Sequence, residues 1–268
     1  MIWLGILLSA VFGAIIGSFL NVLVLRMPRG EKIGGRSYCV HCKHRLSASD
    51  LIPIFSYLFL QGKCRYCGKP ISPRYMAIEI STAALFALNF YFLRYSGNNL
   101  YFALNLLRWD FIAAVLLTVF VIDYEHFLIL DKVVLPSSVV LAALNFILLF
   151  AAPVRFFHSL FWLGLLSAAG VYLLFAAIHY FSRGKWMGLG DAKFGILLGL
   201  AVPFPLIVLN LFLAFMLGAV LGLVLIAAGA KKMSSKMPFG TFLAASCIIT
   251  LYFGPQILIW YLKLIGLY

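Results

Sequence analysis

The chain has 268 residues, of which 64% are hydrophobic and 11% charged, with a mean hydropathy of +1.06 and a formal net charge of +13. Soluble domains carry about 25% charged residues, so this composition excludes a water-soluble globular enzyme and points to many membrane spans. The basic residues sit in short segments between apolar runs, where they set orientation; they form no basic face, which excludes a nucleic-acid-binding module.

Roughly 20 apolar residues cross a bilayer as a helix. In chain order this predicts an all-α polytopic protein of about eight transmembrane helices, near 3–25, 74–95, 102–123, 132–152, 157–181, 190–204, 206–230 and 239–263. The first runs to Arg26 before meeting a charge, too long for a cleaved signal peptide, and reads as a retained span. The sixth is short and stopped by Pro203 and Pro205, and spans six and seven are candidates for broken or re-entrant helices.

Counting lysine and arginine orients this layout. With the N-terminus outside, ten inside charges fall between Arg26 and Arg74, and Lys132, Arg183, Lys185, Lys193, Lys231, Lys232 and Lys236 join them; Arg94, Arg108, Arg155 and Lys263 stay outside. This asymmetry places both ends outside and the 27–73 stretch in the cytoplasm. Three parts are therefore expected: a first span (1–26), a cytoplasmic four-cysteine module (27–73) and a membrane domain (74–268).

The module holds Cys39-Val-His-Cys42 and Cys64-Arg-Tyr-Cys67. Two C-x-x-C turns aim four thiolates at one point and suit a structural zinc, closed to water by its full ligand set. Gly68 after the second pair supports the tight turn. A disulfide or redox role is the alternative, and a cytoplasmic loop disfavours it. His41 and His44 read as solvated loop residues. Cys247 reads as a small buried residue.

Only eight residues are acidic. Glu31 and Asp50 read as solvated loop charges. Asp110 is expected to pair with Arg108 at the outer interface. Glu125, His126 and Asp131 fall in a short inside turn, with Asp131 capping span four. Glu79, one turn into span two, either pairs with Arg74 or faces a cleft. Asp123 ends span three and Asp191 begins span six, both on the cytoplasmic side by the charge count. A carboxylate in a span costs several kcal/mol, so it is a functional hypothesis by default. Two carboxylates brought close in low dielectric do not both ionise, which supplies a general acid and a general base at one pH. Gly188 and Gly190, in Gly188-Leu-Gly190-Asp191, let the chain turn tightly and let a substrate strand approach. The alternatives are a helix cap at Asp191 with an interfacial charge at Asp123, a proton-coupled transporter using paired carboxylates, or a non-catalytic zinc scaffold.

At this point the chain resembles the bacterial type IV prepilin peptidases along nearly its whole length. Gly17-Ser-Phe-Leu-Asn-Val22 with Arg26-Met-Pro28, the paired C-x-x-C module with Asp50, Ile52-Pro53 and Ser56, and Ile71-Ser72 through Tyr75 and Glu79 are similar to the family's first half. Asp123 with Asp131, Gly188-x-Gly190-Asp191-x-Lys193, and Pro238-Phe-Gly240 with Phe242-Leu-Ala244 follow in order. The chain departs from the family's pattern at Glu125, Leu130 and Thr241. The resemblance implies a membrane aspartyl endopeptidase of the bacterial inner membrane that cuts the basic leader from type IV prepilins or pseudopilins. Asp123 and Asp191 would be its catalytic pair, and Gly188, Gly190 and Lys193 would form the active-site loop. It also implies N-methylation of the new terminus from S-adenosylmethionine, for which Glu79 is a candidate residue although no glycine-rich fingerprint is present. Membrane lipid is the other expected partner, at the basic loops.

Overall fold

The computed structural model describes residues 2–93, 98–151, 159–229 and 237–266. Arg94, Arg155, Lys231, Lys232 and Lys236, used in the charge count, lie outside the described residues. Nine α-helices occur among them: α1 (Ile2–Arg26), α2 (Phe55–Phe59), α3 (Arg74–Phe92), α4 (Asn99–His126), α5 (Asp131–Ala151), α6 (Leu160–Phe181), α7 (Leu189–Ala201), α8 (Leu206–Ala227) and α9 (Phe239–Leu264). Seven of them, all except α2 and α7, are long and apolar enough to cross a membrane. The expected sixth span is the exception: α7 has 13 residues, about 20 Å of helix against a hydrocarbon layer of about 30 Å.

The helices cluster into two units, one of residues 1–97 with 109–118, the other of residues 98–108 with 119–268. In the first, α1 and α3 pack through a stripe of small residues. A Cβ on Gly13 would meet Thr82 O at 2.7 Å, and one on Gly17 would meet the Glu79 Cα at 2.8 Å. Glycines four apart let two backbones touch where lipid gives no hydrophobic driving force. Asn21 adds a hydrogen bond from its Nδ2 to Tyr75 O (3.0 Å). Asp110 accepts from Asn89 Nδ2 (2.8 Å) and not, as expected, from Arg108.

In the second unit α7 packs against α5, α6 and α9, and α8 against α9. The α6–α7 contact is again glycine-made: a Cβ on Gly199 would lie 2.3 Å from Ala168 N. Arg108, expected at the outer interface, is 3% exposed. Its Nε donates to Asn145 Oδ1 (2.6 Å) and its Nη2 to Ala201 O (2.7 Å) and Leu200 O (3.2 Å); Asn145 Nδ2 donates to Leu200 O as well (2.9 Å). Those carbonyls are the orphan acceptors at the end of α7. Arg108 lies nine residues, about 14 Å, inside the start of α4, so α7 stops within the layer and α8 begins there. The cation replaces the water that a helix end normally finds.

Candidate active site and metal centre

Three helix ends converge in the second unit: the last turn of α4, with Asp123, and the first turns of α7 and α9. Asp123 is 4% exposed. Its Oδ2 accepts from Thr241 N (2.7 Å) and Thr241 Oγ1 (3.2 Å). Thr241 is the third residue of α9, so this carboxylate takes a donor that the helix leaves free and sits at its positive end. Asp191 is the third residue of α7, and its Oδ2 accepts from Gly188 N (3.2 Å), closing that helix start in the same way. The two carboxylates are near enough for the charge of Asp123 to act on Asp191. Each is fixed through one oxygen to a helix N-terminus.

The glycines explain the closeness. A Cβ on Gly240 would lie 3.0 Å from Asp123 Oδ2 and 2.8 Å from Ile129 Cδ1, and one on Gly190 would lie 3.1 Å from Ile129 Cβ. Ile129 thus packs against the starts of both α7 and α9. Phe127 N donates to Asp123 O (2.8 Å) while Phe127 takes φ 54°, turning the chain sharply toward Ile129. Lys193 forms an ion pair with Asp131, tying α7 to the start of α5. The sequence marked Thr241 only as a departure from the family's pattern and gave it no role at the site, since it lies 118 residues from Asp123.

In the first unit Cys39, Cys42, Cys64 and Cys67 come together, with all four Sγ within 4.8 Å of one another. A tetrahedral site with metal–sulfur bonds of about 2.3 Å has S···S edges of about 3.8 Å, and Cys39 Sγ to Cys67 Sγ is 4.0 Å. None of the four is in a disulfide. The cluster therefore suits a metal ion, and neither His41 nor His44 belongs to it. Two copies of one turn build it. Cys39 N donates to His44 O and Lys43 N to Cys39 O; Cys64 N donates to Lys69 O and Gly68 N to Cys64 O. Gly68 (φ 68°) and Lys43 (φ 59°) occupy the same left-handed position in the two turns. The Lys69 N–H favours the Cys67 thiolate, but burial and the neighbouring thiols push its pKa up to about 11. A bound dication supplies the charge that lets all four ionise.

Asp50, expected to be a solvated charge, has a side chain only 3% exposed and paired with Arg65 Nε at 2.8 Å. It also accepts from Ser47 N, Ser47 Oγ and Tyr66 Oη. Burial raises its pKa, yet the donors from Ser47 and Tyr66 and the Arg65 charge outweigh that and hold it below the usual carboxylate value. Arg65 and Tyr66 are the two residues between Cys64 and Cys67, so Asp50 braces the second turn. Glu31, also expected to be free, accepts from Tyr38 Oη (2.9 Å). Glu79 accepts the backbone N–H of Ile54 on Oε2 (2.7 Å) and is 9% exposed. That oxygen serves the module's own backbone, and no residue set for a methyl donor emerges among the described residues.

Residues 11–93 match the bacterial peptidase A24 N-terminal domain, and residues 111–223 match the type IV leader peptidase family. The prepilin leader peptidase/N-methyltransferase of Bacillus subtilis strain 168 is 31% identical over 95% of this chain and 96% of its own length. The proteins of that name from Dichelobacter nodosus (34%, 95% and 93%) and Aeromonas hydrophila (32%, 97% and 94%) are similarly alike. No solved structure matches the chain. Matches of this identity along nearly the whole length, together with the two family domains in order, establish that the chain belongs to the type IV leader peptidase family.

Proposed function

We propose that this chain cleaves the leader peptide of type IV prepilins or pseudopilins with Asp123 and Asp191, and methylates the exposed N-terminus. The single observation that carries the peptidase chemistry is the placement of both carboxylates, each held by one oxygen at the start of a different helix, within electrostatic reach of one another. Asp123 has two donors on one oxygen and acts as the ionised base; Asp191 has one longer donor and carries the proton. Asp123 takes a proton from water as its oxygen bonds to the scissile carbonyl carbon, while Asp191 protonates the carbonyl oxygen. The tetrahedral species then collapses: the C–N bond breaks, the amine leaves with the proton from Asp123, and one hydroxyl returns its proton to Asp191. The positive ends of α7 and α9 face the charge that develops.

The methyltransferase reading rests on the relatives' names. S-adenosylmethionine would supply the methyl group. The metal is read as structural zinc held by Cys39, Cys42, Cys64 and Cys67, with 1–26, 27–73 and 74–268 as first span, zinc module and peptidase domain. The charge count supports an orientation with module and aspartates on the cytoplasmic side, and the inner-membrane location is inferred from the family.

The test is cleavage of a purified prepilin in proteoliposomes. Asp123→Asn and Asp191→Asn should each abolish leader removal while the proteins insert and retain their fold. Cleavage at the parental rate by Asp191→Asn would sink the assignment. Proton flux without cleavage would favour the transporter.

A further inference from the structure

Part of the module does not behave as a water-facing loop. α3 has 19 residues, about 28 Å of helix, barely the thickness of the hydrocarbon layer. For α3 to cross, Arg74 must sit at the edge of that layer, which puts Glu79, five residues on, about 7 Å inside it. α1 is compatible with that depth once its length is allowed for: its 25 residues, about 37 Å of helix, overhang the layer by about 7 Å. Gly17 lies against the Glu79 Cα, and it is nine residues, about 13 Å, below the end of α1 at Arg26.

Glu79 Oε2 accepts the N–H of Ile54. The chain that leaves α1 at Arg26 and returns at Arg74 is therefore drawn at Ile54 to within reach of the Glu79 side chain, which leans from its buried Cα toward the start of α3. Ile54 takes φ 64° there, a left-handed conformation that is a genuine outlier for a β-branched residue. Its N–H is met by a buried carboxylate and not by solvent, as an irregular backbone at membrane depth requires. The side chains around it are apolar and uncovered: Ile52 is 50% exposed, Phe55 60%, Leu58 56% and Phe59 84%. The neighbouring surfaces of the two spans are equally apolar and uncovered at this level, at Phe19 on α1 and Ile80 on α3.

We propose that residues 51–59 form a wedge seated in the acyl layer of the leaflet on the module's side, with Glu79 as the internal acceptor that holds its backbone there. Lipid acyl chains are the occupant because the apolar surface continues that of α1 and α3 at a depth set by α3 and compatible with the length of α1. The metal-binding module is thus clamped to the membrane surface at a second point, besides its two covalent links to α1 and α3.

The experiment uses the full chain in nanodiscs of phosphatidylethanolamine and phosphatidylglycerol, with benzoylphenylalanine placed singly at Phe55, Phe59 or, as reference, Val40 in the first cysteine turn. After irradiation, intact-mass analysis should find phospholipid adducts at 55 and 59 at least fivefold above those at 40. Adducts at 55 and 59 no higher than at 40 overturn the proposal, as does capture of added prepilin in place of lipid. Glu79→Leu, which removes the acceptor, should lower the adduct yield at 55 severalfold while metal stays at one per chain. An unchanged yield at 55 would refute the holding role of Glu79.

Discussion

Gly240→Ala is the sharpest probe of the carboxylate pair, because it adds one methyl group and touches nothing else of the chemistry. The new Cβ would lie 2.8 Å from Ile129 Cδ1, 3.0 Å from Asp123 Oδ2 and 3.2 Å from Asp123 Cγ. The terminal methyl of Ile129 can swing aside. The Asp123 carboxylate cannot without lengthening its 2.7 Å bond from Thr241 N. A hydrogen bond to a charged group is worth about 1.5–3 kcal/mol. At about 1.4 kcal/mol per decade this corresponds to a loss of roughly 10–100-fold in rate if the bond is needed in the transition state. Gly170→Ala is the comparison, since a Cβ there meets nothing within 4 Å, and it should cleave at the parental rate. Prepilin cleavage would be followed by mass under single-turnover conditions, with thermal unfolding as the check on folding. A folded Gly240→Ala within threefold of the parent would refute the claim that α9 fixes the Asp123 carboxylate for catalysis.

Two further predictions follow from buried charges. Arg108→Met removes the donors to Asn145, Leu200 and Ala201 and should destabilise the protein by about 2–4 kcal/mol, given about 1–3 kcal/mol per buried group left unmet and the smaller averages seen in membranes. Arg108→Lys should recover part of this; steric trapping or thermal unfolding in bicelles would read both, and parental stability in Arg108→Met would refute the cap. Asp50→Asn should speed chelator-driven metal loss. The folded Asp50 pKa is lowered, so its contribution is complete above the unfolded carboxylate value of about 3.9 and is lost only below it, as pH falls through the folded value. The gap between Asp50→Asn and parent should therefore stay constant from pH 5 to 8, and a gap that changes across that range would refute the reading.

What the sequence disclosed was set by how local each signal is. The cysteine turns and the start of α7 are local: C-x-x-C and Gly-x-Gly-Asp fix short backbone paths, and in the structure the four cysteines cluster and Asp191 closes the start of α7 on Gly188 N. Asp123 was legible because a carboxylate ending an apolar run stands out. Thr241 was not, because its tie to Asp123 exists only once α4 and α9 meet. Arg108 was misplaced for a related reason. Its helix is apolar on all sides, so periodicity assigns it no face, and a cation near the end of a span looks interfacial until its acceptors on α5 and α7 are known. The sixth span was expected to run to 204 with Pro203 and Pro205 as its stop; α7 ends earlier, at Ala201, because Val202, the residue before Pro203, leaves the helical region (φ −129°, ψ 83°). Asp50 was read as solvated because the residues that bury it, Arg65 and Tyr66, arrive only through the cysteine cluster.

The arginine cap on α7 also bears on how the chain is made. α4 carries Arg108 into the bilayer long before α7 has been synthesised, and its carbonyl acceptors at Leu200 and Ala201 lie more than ninety residues downstream. Between those moments Arg108 has Asn145 on α5 as an acceptor but lacks the two carbonyls that end α7. Chains that stop short of residue 201 should stay at the insertion machinery or reach the membrane proteases, while chains that pass it gain a completed helix pair. The residue that anchors the finished bundle would then also report, during biogenesis, whether α7 has arrived.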